Sequence, residues 1–146
     1  TGTTPNVVGT PSGQGPVAAG KMTDISAREL LKASGVDTKT TNTSLEGINA
    51  KTVQDAIDLK KDCNCAITIT GGTEGTGGHA NGAMSHGTGY KYDIRPNAQL
   101  DNYIENVSGW TKGTRNDNGT IITTYTAPDG NIYAREGNHW DVLVKS

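Results

Sequence analysis

The chain has no phenylalanine and only 5% aromatic residues, so its core has to be aliphatic, with tyrosine and tryptophan at the margins. It has no surplus of basic charge: 13 Lys and Arg stand against 15 Asp and Glu, a formal net charge of -2. Such a balance gives no positive field to hold a phosphate backbone and excludes nucleic acid as an expected partner. No apolar run approaches the roughly 20 residues that cross a bilayer, so no transmembrane segment is expected. The first residues also lack a basic stretch followed by an apolar one, and the chain reads as a fragment or a mature protein.

Cysteine is nearly absent as well. Cys63 and Cys65 are the two present, in "KDCNCAITIT". In an extended chain, residues two apart share a face with Cα atoms about 6.5–7 Å apart, at the limit for a disulfide. Two buried thiols beside Ile67 and Ile69 are the first expectation. A Cys-x-Cys disulfide and half of a metal site are the alternatives.

What is present in quantity is glycine, 20 residues in 146. Thr1 to Lys21, "TGTTPNVVGTPSGQGPVAAGK", shows neither a period of two nor one of 3.6 and reads as a flexible Gly/Pro/Thr/Ser-rich linker that tethers one domain, 22–146, to further domains. "DISARELLKASGV" suits a short helix with Asp24 or Ser26 as N-cap and Gly35 at its C-terminal end. "AKTVQDAIDLKK" suits a second helix, with Lys60 and Lys61 in its last turn. From Cys63 the period changes to two, so a strand is expected to run to Gly71-Gly72. "YKYDI" alternates again. "NAQLDNYIENV" then places Leu100, Tyr103, Ile104 and Val107 at helical spacing. "GTIITTYTAPDGNIYARE" reads as a hairpin turning at Pro128-Asp129-Gly130, and "HWDVLV" as a final strand. The fold class expected is α+β, a small antiparallel sheet with helices packed on it.

The chemistry concentrates in two places. "GAMSHGTGYKYDIRPN" sets His86 and Asp93 seven residues apart, about 23 Å in a straight strand, so both can reach one ion only if the chain bends back at Gly87 and Gly89. "EGNHW" sets Glu136 and His139 three apart, which a turn brings to one side. A catalytic zinc site needs three nitrogen or oxygen ligands and an open position, and His86, Asp93 and His139 supply them. Glu136 would serve as general base, and Asp141 as a buttress to a ligand imidazole. His79, His86 and His139 form an alternative three-histidine set. The plain alternatives are a polar loop histidine at 86, a strand-edge histidine at 139 and an ordinary turn glutamate at 136.

"SHGTGYKYDI" resembles the Ser-x-His-x-x-Gly-x-Ala-x-Asp signature of the zinc D-Ala-D-Ala carboxypeptidase and dipeptidase superfamily, which also includes lysostaphin-type enzymes, phage endolysins and the Hedgehog signalling domain. His86, Gly89 and Asp93 fall in register with it, and "EGNHW" resembles the family's Glu-x-x-His. The resemblance spans roughly Leu45 to Lys145. It implies a Hedgehog-like peptidase fold, bound Zn2+, and hydrolysis of peptidoglycan stem or cross-link peptides containing D-amino acids, with Glu136 as catalytic base to a zinc-bound water. It implies a setting outside the cell, in the envelope or on a phage particle. Ser85, Tyr92, Arg95 and Trp140 are the residues expected near substrate. Where many members carry Ser-Gly-Tyr-Arg, this chain has Gly71-Gly72-Thr73-Glu74, and Arg95, Arg135 or Lys91 would have to replace that cation. A non-catalytic module binding peptidoglycan or a protein is the alternative function, and a surface adhesin domain a third.

Overall fold

The structure, a computed structural model, describes residues 20–74 and 85–145. Most of the expected linker and His79 lie outside the described residues. Lys21 opens the first strand, β1 (Lys21–Met22), which pairs antiparallel with β3 (Ile48–Asn49). Helix α1 (Asp24–Ala33) follows, and its cap is Thr23, whose hydroxyl accepts from the Ser26 N–H at 3.1 Å. Thr23 thus takes the role expected of Asp24 or Ser26. Asp24 instead binds Arg28 and the Leu45 N–H, which ties the helix start to the following loop.

Helix α2 (Ala50–Cys63) buries Val53, Ala56, Ile57 and Leu59. It runs one residue into the segment expected to be strand. Asn64 then adopts the left-handed region at φ 50, which ends the helix and reverses the chain. That turn closes the two cysteine Cα atoms to 5.2 Å, and Cys63 and Cys65 form a disulfide. The buried-thiol expectation fails because it assumed an extended backbone at Asn64.

The main sheet has seven strands in the order β2-β4-β5-β9-β8-β7-β6. They are β2 (Asp37–Thr38), β4 (Thr68–Gly71), β5 (Lys91–Ile94), β6 (Thr111–Asp117), β7 (Thr120–Thr126), β8 (Ile132–Glu136) and β9 (His139–Leu143). Only β2 and β4 pair in parallel; the other neighbours are antiparallel. With the third helix, α3 (Ala98–Asn106), the chain is α+β, as the periodicities indicate. Among the described residues no helix is long and apolar enough to cross a membrane.

Strand alternation sorts β5 and β9 into two faces. Tyr92, Ile94, Trp140 and Val142 are fully buried in the core beside Val53, Ile57, Leu100 and Ile104 of the helices. Two side chains placed near substrate by the sequence reading therefore point the other way. The Tyr92 hydroxyl donates to Asp55 of α2 at 2.7 Å, and the Trp140 indole N–H donates to Asp101 of α3 at 2.8 Å. Neither can line a cleft on the opposite face.

Asp55 gathers the core's polar tips: it accepts from the hydroxyls of Tyr92 and Tyr133 and from the Asn131 amide. Burial raises its pKa although these three bonds pull it down. A raised carboxyl pKa means the native state holds more protons than the unfolded chain. The contribution of Asp55 is thus fullest below the ordinary carboxylate value and falls as pH rises through the raised one. Asp55→Ala is expected to lower unfolding free energy by roughly 2–4 kcal/mol, because it leaves buried donors unpaired. Urea denaturation at about pH 4 and pH 7 should show the loss, together with a stability less dependent on pH over that window than in the parent chain.

Candidate metal centre

The opposite face of the same strands carries Lys91 and Asp93 from β5 and His139 and Asp141 from β9, with Asp93 directly across from Asp141. Glu136 of β8 stands across from His139, joined by the two-residue turn Gly137-Asn138. The Glu-x-x-His spacing is therefore a hairpin spacing, and Gly137 supplies the positive φ of 54° that the turn needs.

His86 arrives from a separate turn. Ser85 is buried, with its N–H and hydroxyl engaged by Thr88, so it builds this turn and does not face substrate as expected. Gly89 makes the bend possible at φ +88°, where an added Cβ would sit 2.7 Å from the Gly47 carbonyl oxygen. The His86 Nδ1 lies 3.0 Å from the Gly72 carbonyl oxygen, which can only accept, so Nδ1 carries the hydrogen. Nε2 then faces Asp141 Oδ1 at 3.1 Å and Asp93 Oδ1 at 3.4 Å.

Among the described residues, His86, Asp93 and Asp141 form the group compact enough to hold a metal ion, each offering one ligand atom within 4.8 Å of the others. His139 stands beside them, its Nε2 3.8 Å from Asp93 Oδ1 and 3.3 Å from Glu136 Oε1. Asp141, expected only to buttress a histidine, brings its own oxygen into the cluster. Asp93 Oδ1 is the shared point, buried and without a hydrogen-bond partner among the described residues. A buried carboxylate oxygen with no donor is costly, and a cation would satisfy it. The donor set of imidazole nitrogen and carboxylate oxygen suits a divalent ion.

The cluster forms the floor of a cavity of about 810 Å³ lined by His86, Lys91, Asp93, Asp141, Glu136 and His139 together with the tip of the β6–β7 hairpin. Within it the Lys91 ammonium meets Asp141 at 3.0 Å, while Arg115 of β6 binds Glu136 and Asp117 and reaches Asp141 at 3.5 Å. Four carboxylates thus face two cations and two imidazoles. Burial disfavours a charged His86, yet its hydrogen bond to Asp141 and the nearby charge of Asp93 prevail and push its pKa up to about 10. Burial likewise disfavours ionised Asp141, but His86 and Lys91 hold its carboxyl well below the usual range.

Of the cations considered from sequence, Lys91 lies in this cavity, Arg135 is bound to Asp101 at 2.9 Å away from it, and Arg95 lines an adjoining hollow. Arg115 was missed by the sequence reading because β6 is polar along its whole length. The Asn118-Gly119 pair that follows is the signal that could have found it, since both residues take positive φ in the tight turn to β7.

Comparisons with family models, with curated proteins and with solved structures return no match for the chain.

Gly71 lies against Asp93: an added Cβ would meet its Oδ2 at 2.6 Å. Gly71→Ala is expected to keep the fold while displacing that carboxylate, weakening divalent-metal affinity by roughly tenfold. A metal taking His86 Nε2 must displace its proton, so affinity should rise by roughly tenfold per pH unit between about pH 6 and 8. Competition calorimetry on both proteins across that range measures the two effects.

Proposed function

We propose that the chain is a zinc-dependent peptidase with a Hedgehog-like peptidase fold, acting on peptidoglycan stem or cross-link peptides outside the cell or on a phage particle. The observation that carries this reading is Asp93 Oδ1, without a hydrogen-bond partner among the described residues and approached by the Nε2 atoms of His86 and His139 at 3.4 and 3.8 Å, with Glu136 beside them in an open cavity. His86, Asp93 and His139, with Asp141 against His86, are the residues that would hold the ion. Bound zinc would polarise a scissile carbonyl and lower the pKa of an attacking water.

The rest of the chemistry belongs to the chain. Arg115 anchors one oxygen of Glu136, and the other, Oε1, is directed to His139. A carboxylate so fixed can take a proton from the attacking water and deliver it to the departing amine. His86 is locked by Gly72 in the tautomer that leaves Nε2 free of its own hydrogen when neutral. The resemblance of both motifs to the peptidoglycan peptidases supports the substrate class.

The purified chain is expected to hold about one zinc, lost in His139→Ala, and to release muropeptides from peptidoglycan. Glu136→Gln should retain the zinc and lower cleavage by roughly 10²-fold or more. Elemental analysis and chromatography of digests check both. Zinc binding with undiminished wall retention and no cleavage in the parent chain would favour a non-catalytic binding module.

A further inference from the structure

A hollow of about 270 Å³ opens on the helix side of the sheet, away from the metal centre. Three aromatic rings wall it: Tyr103 of α3, Trp110 just before β6, and Tyr133 of β8. Trp110 packs against Tyr133 with ring centres 4.8 Å apart and stands edge-to-face with Tyr103 at 6.0 Å. Tyr133 shares its face of the sheet with Val142 and Tyr92, the face opposite to that of Asp93 and His139. An occupant here leaves the metal cavity open.

The rim of this hollow is acidic, and no basic residue lines it. Asp58 and Asp62 come from successive turns of α2 and Asp129 from the turn between β7 and β8, and all three are exposed. Carboxylates four apart on a helix repel each other, and Asp62 stands in the last turn, where the helix dipole is negative as well. Asp58 and Asp129 are met only by the neutral amides of Gln54 and Asn131. Lys60, in the same turn as Asp62, is directed to the Cys65 carbonyl oxygen at 3.0 Å. Among the described residues no cation pairs with any of the three. Burial and the charge of Asp62 together raise the pKa of the Tyr103 hydroxyl, so the negative field reaches the rings.

Other rings of the chain take a cation from the chain itself: Lys21 lies over Tyr90, Lys112 over Tyr125 and Arg135 over Trp140, at 5.4–5.9 Å. Tyr103, Trp110 and Tyr133 take none among the described residues. An aromatic recess edged by unneutralised carboxylates attracts an ammonium through both ring quadrupole and charge, whereas a neutral apolar group would leave the carboxylates unrelieved. Leu59 and Ala127 add apolar wall for an alkyl stem. A second hollow of about 250 Å³ adjoins the first, sharing Asp55, Asp58 and Asp129 with it. Each is small for a free ligand, and the two in series suit successive residues of an extended chain.

We propose that this groove docks a lysine-bearing segment of a partner protein, with the lysine ammonium held among Tyr103, Trp110, Asp58, Asp62 and Asp129. The site stands on the face opposite the metal centre and does not rest on the peptidase reading.

The test is an amide-detected NMR titration of the full chain with an N-acetylated Gly-Lys-Gly-Gly carboxamide, its Nε-acetyl-lysine counterpart and chitotetraose. The lysine peptide should give saturable shifts at Tyr103, Trp110 and Asp129 and none at Asp93 or His139. Its affinity should exceed that of the acetylated peptide by roughly tenfold and fall severalfold as salt rises from about 50 to 300 mM. Trp110→Ala should weaken binding by about tenfold. Asp58→Asn with Asp62→Asn, both on the exposed surface of α2 and so compatible with the fold, should do the same and abolish the salt dependence. Equal affinity for the lysine and acetyl-lysine peptides, shifts confined to other residues, or no saturable shifts would each overturn the proposal. Saturable shifts at Tyr103 and Trp110 with chitotetraose alone would overturn it as well and make the groove a glycan site.

Discussion

Asp93 and Asp141 face each other across β5 and β9 on the same side of the sheet. Like charges directly opposed in a sheet are destabilising, and more so where water is excluded. Much of the surrounding arrangement can be understood as compensation. His86 takes a proton, hydrogen-bonds Asp141 and lies 3.4 Å from Asp93 Oδ1, Lys91 covers the second oxygen of Asp141, and Arg115 reaches over from β6. Even so, among the described residues Asp93 Oδ1 has no hydrogen-bond partner and only the longer approaches of His86 at 3.4 Å and His139 at 3.8 Å. The compensation is thus incomplete at the atom where the two imidazoles converge, and this is where a divalent ion could be held.

The approach of Arg115 depends on what lies between. Reading across the sheet, Asp141 is opposite Ala134, Ala134 opposite Thr124, and Thr124 opposite Gly113. Partners share a face, so this row narrows from carboxylate to methyl, to a short hydroxyl, to no side chain at all. Arg115 itself pairs with Ile122, and beside that residue the small row lets a guanidinium starting four strands from Asp93 lie over the sheet and touch both Glu136 and Asp141.

How much of this was legible in the sequence follows from the same alternation. The His86–Asp93 and Glu136–His139 spacings, the helix at Leu100 and Ile104, and the strand ending in "HWDVLV" could be read because apolar residues mark the buried face. Tyr92 and Trp140 are neighbours in sequence of Asp93 and His139 but not in space, because adjacent strand residues point to opposite faces. Arg115 was hidden because β6, "TKGTRND", has no apolar face to reveal its period. The disulfide stands only as an alternative in the sequence because a left-handed asparagine changes a Cα separation that extended geometry keeps at the limit.

The arrangement also accounts for the paired glycines and the glutamate in Gly71-Gly72-Thr73-Glu74 at the end of β4. Gly71 and Gly72 stand where a side chain would collide: an added Cβ at 71 meets Asp93, and one at 72 meets the Ser44 carbonyl oxygen at 2.4 Å. Free of side chains, this stretch lets Asp93 lie close to β4 and leaves the Gly72 carbonyl to fix the His86 ring. Glu74 then closes the segment by accepting from the N–H groups of Gly72 and Ser44. An acidic residue here thus serves the backbone that positions His86 and Asp93, the two side chains that the cluster takes from turn and strand.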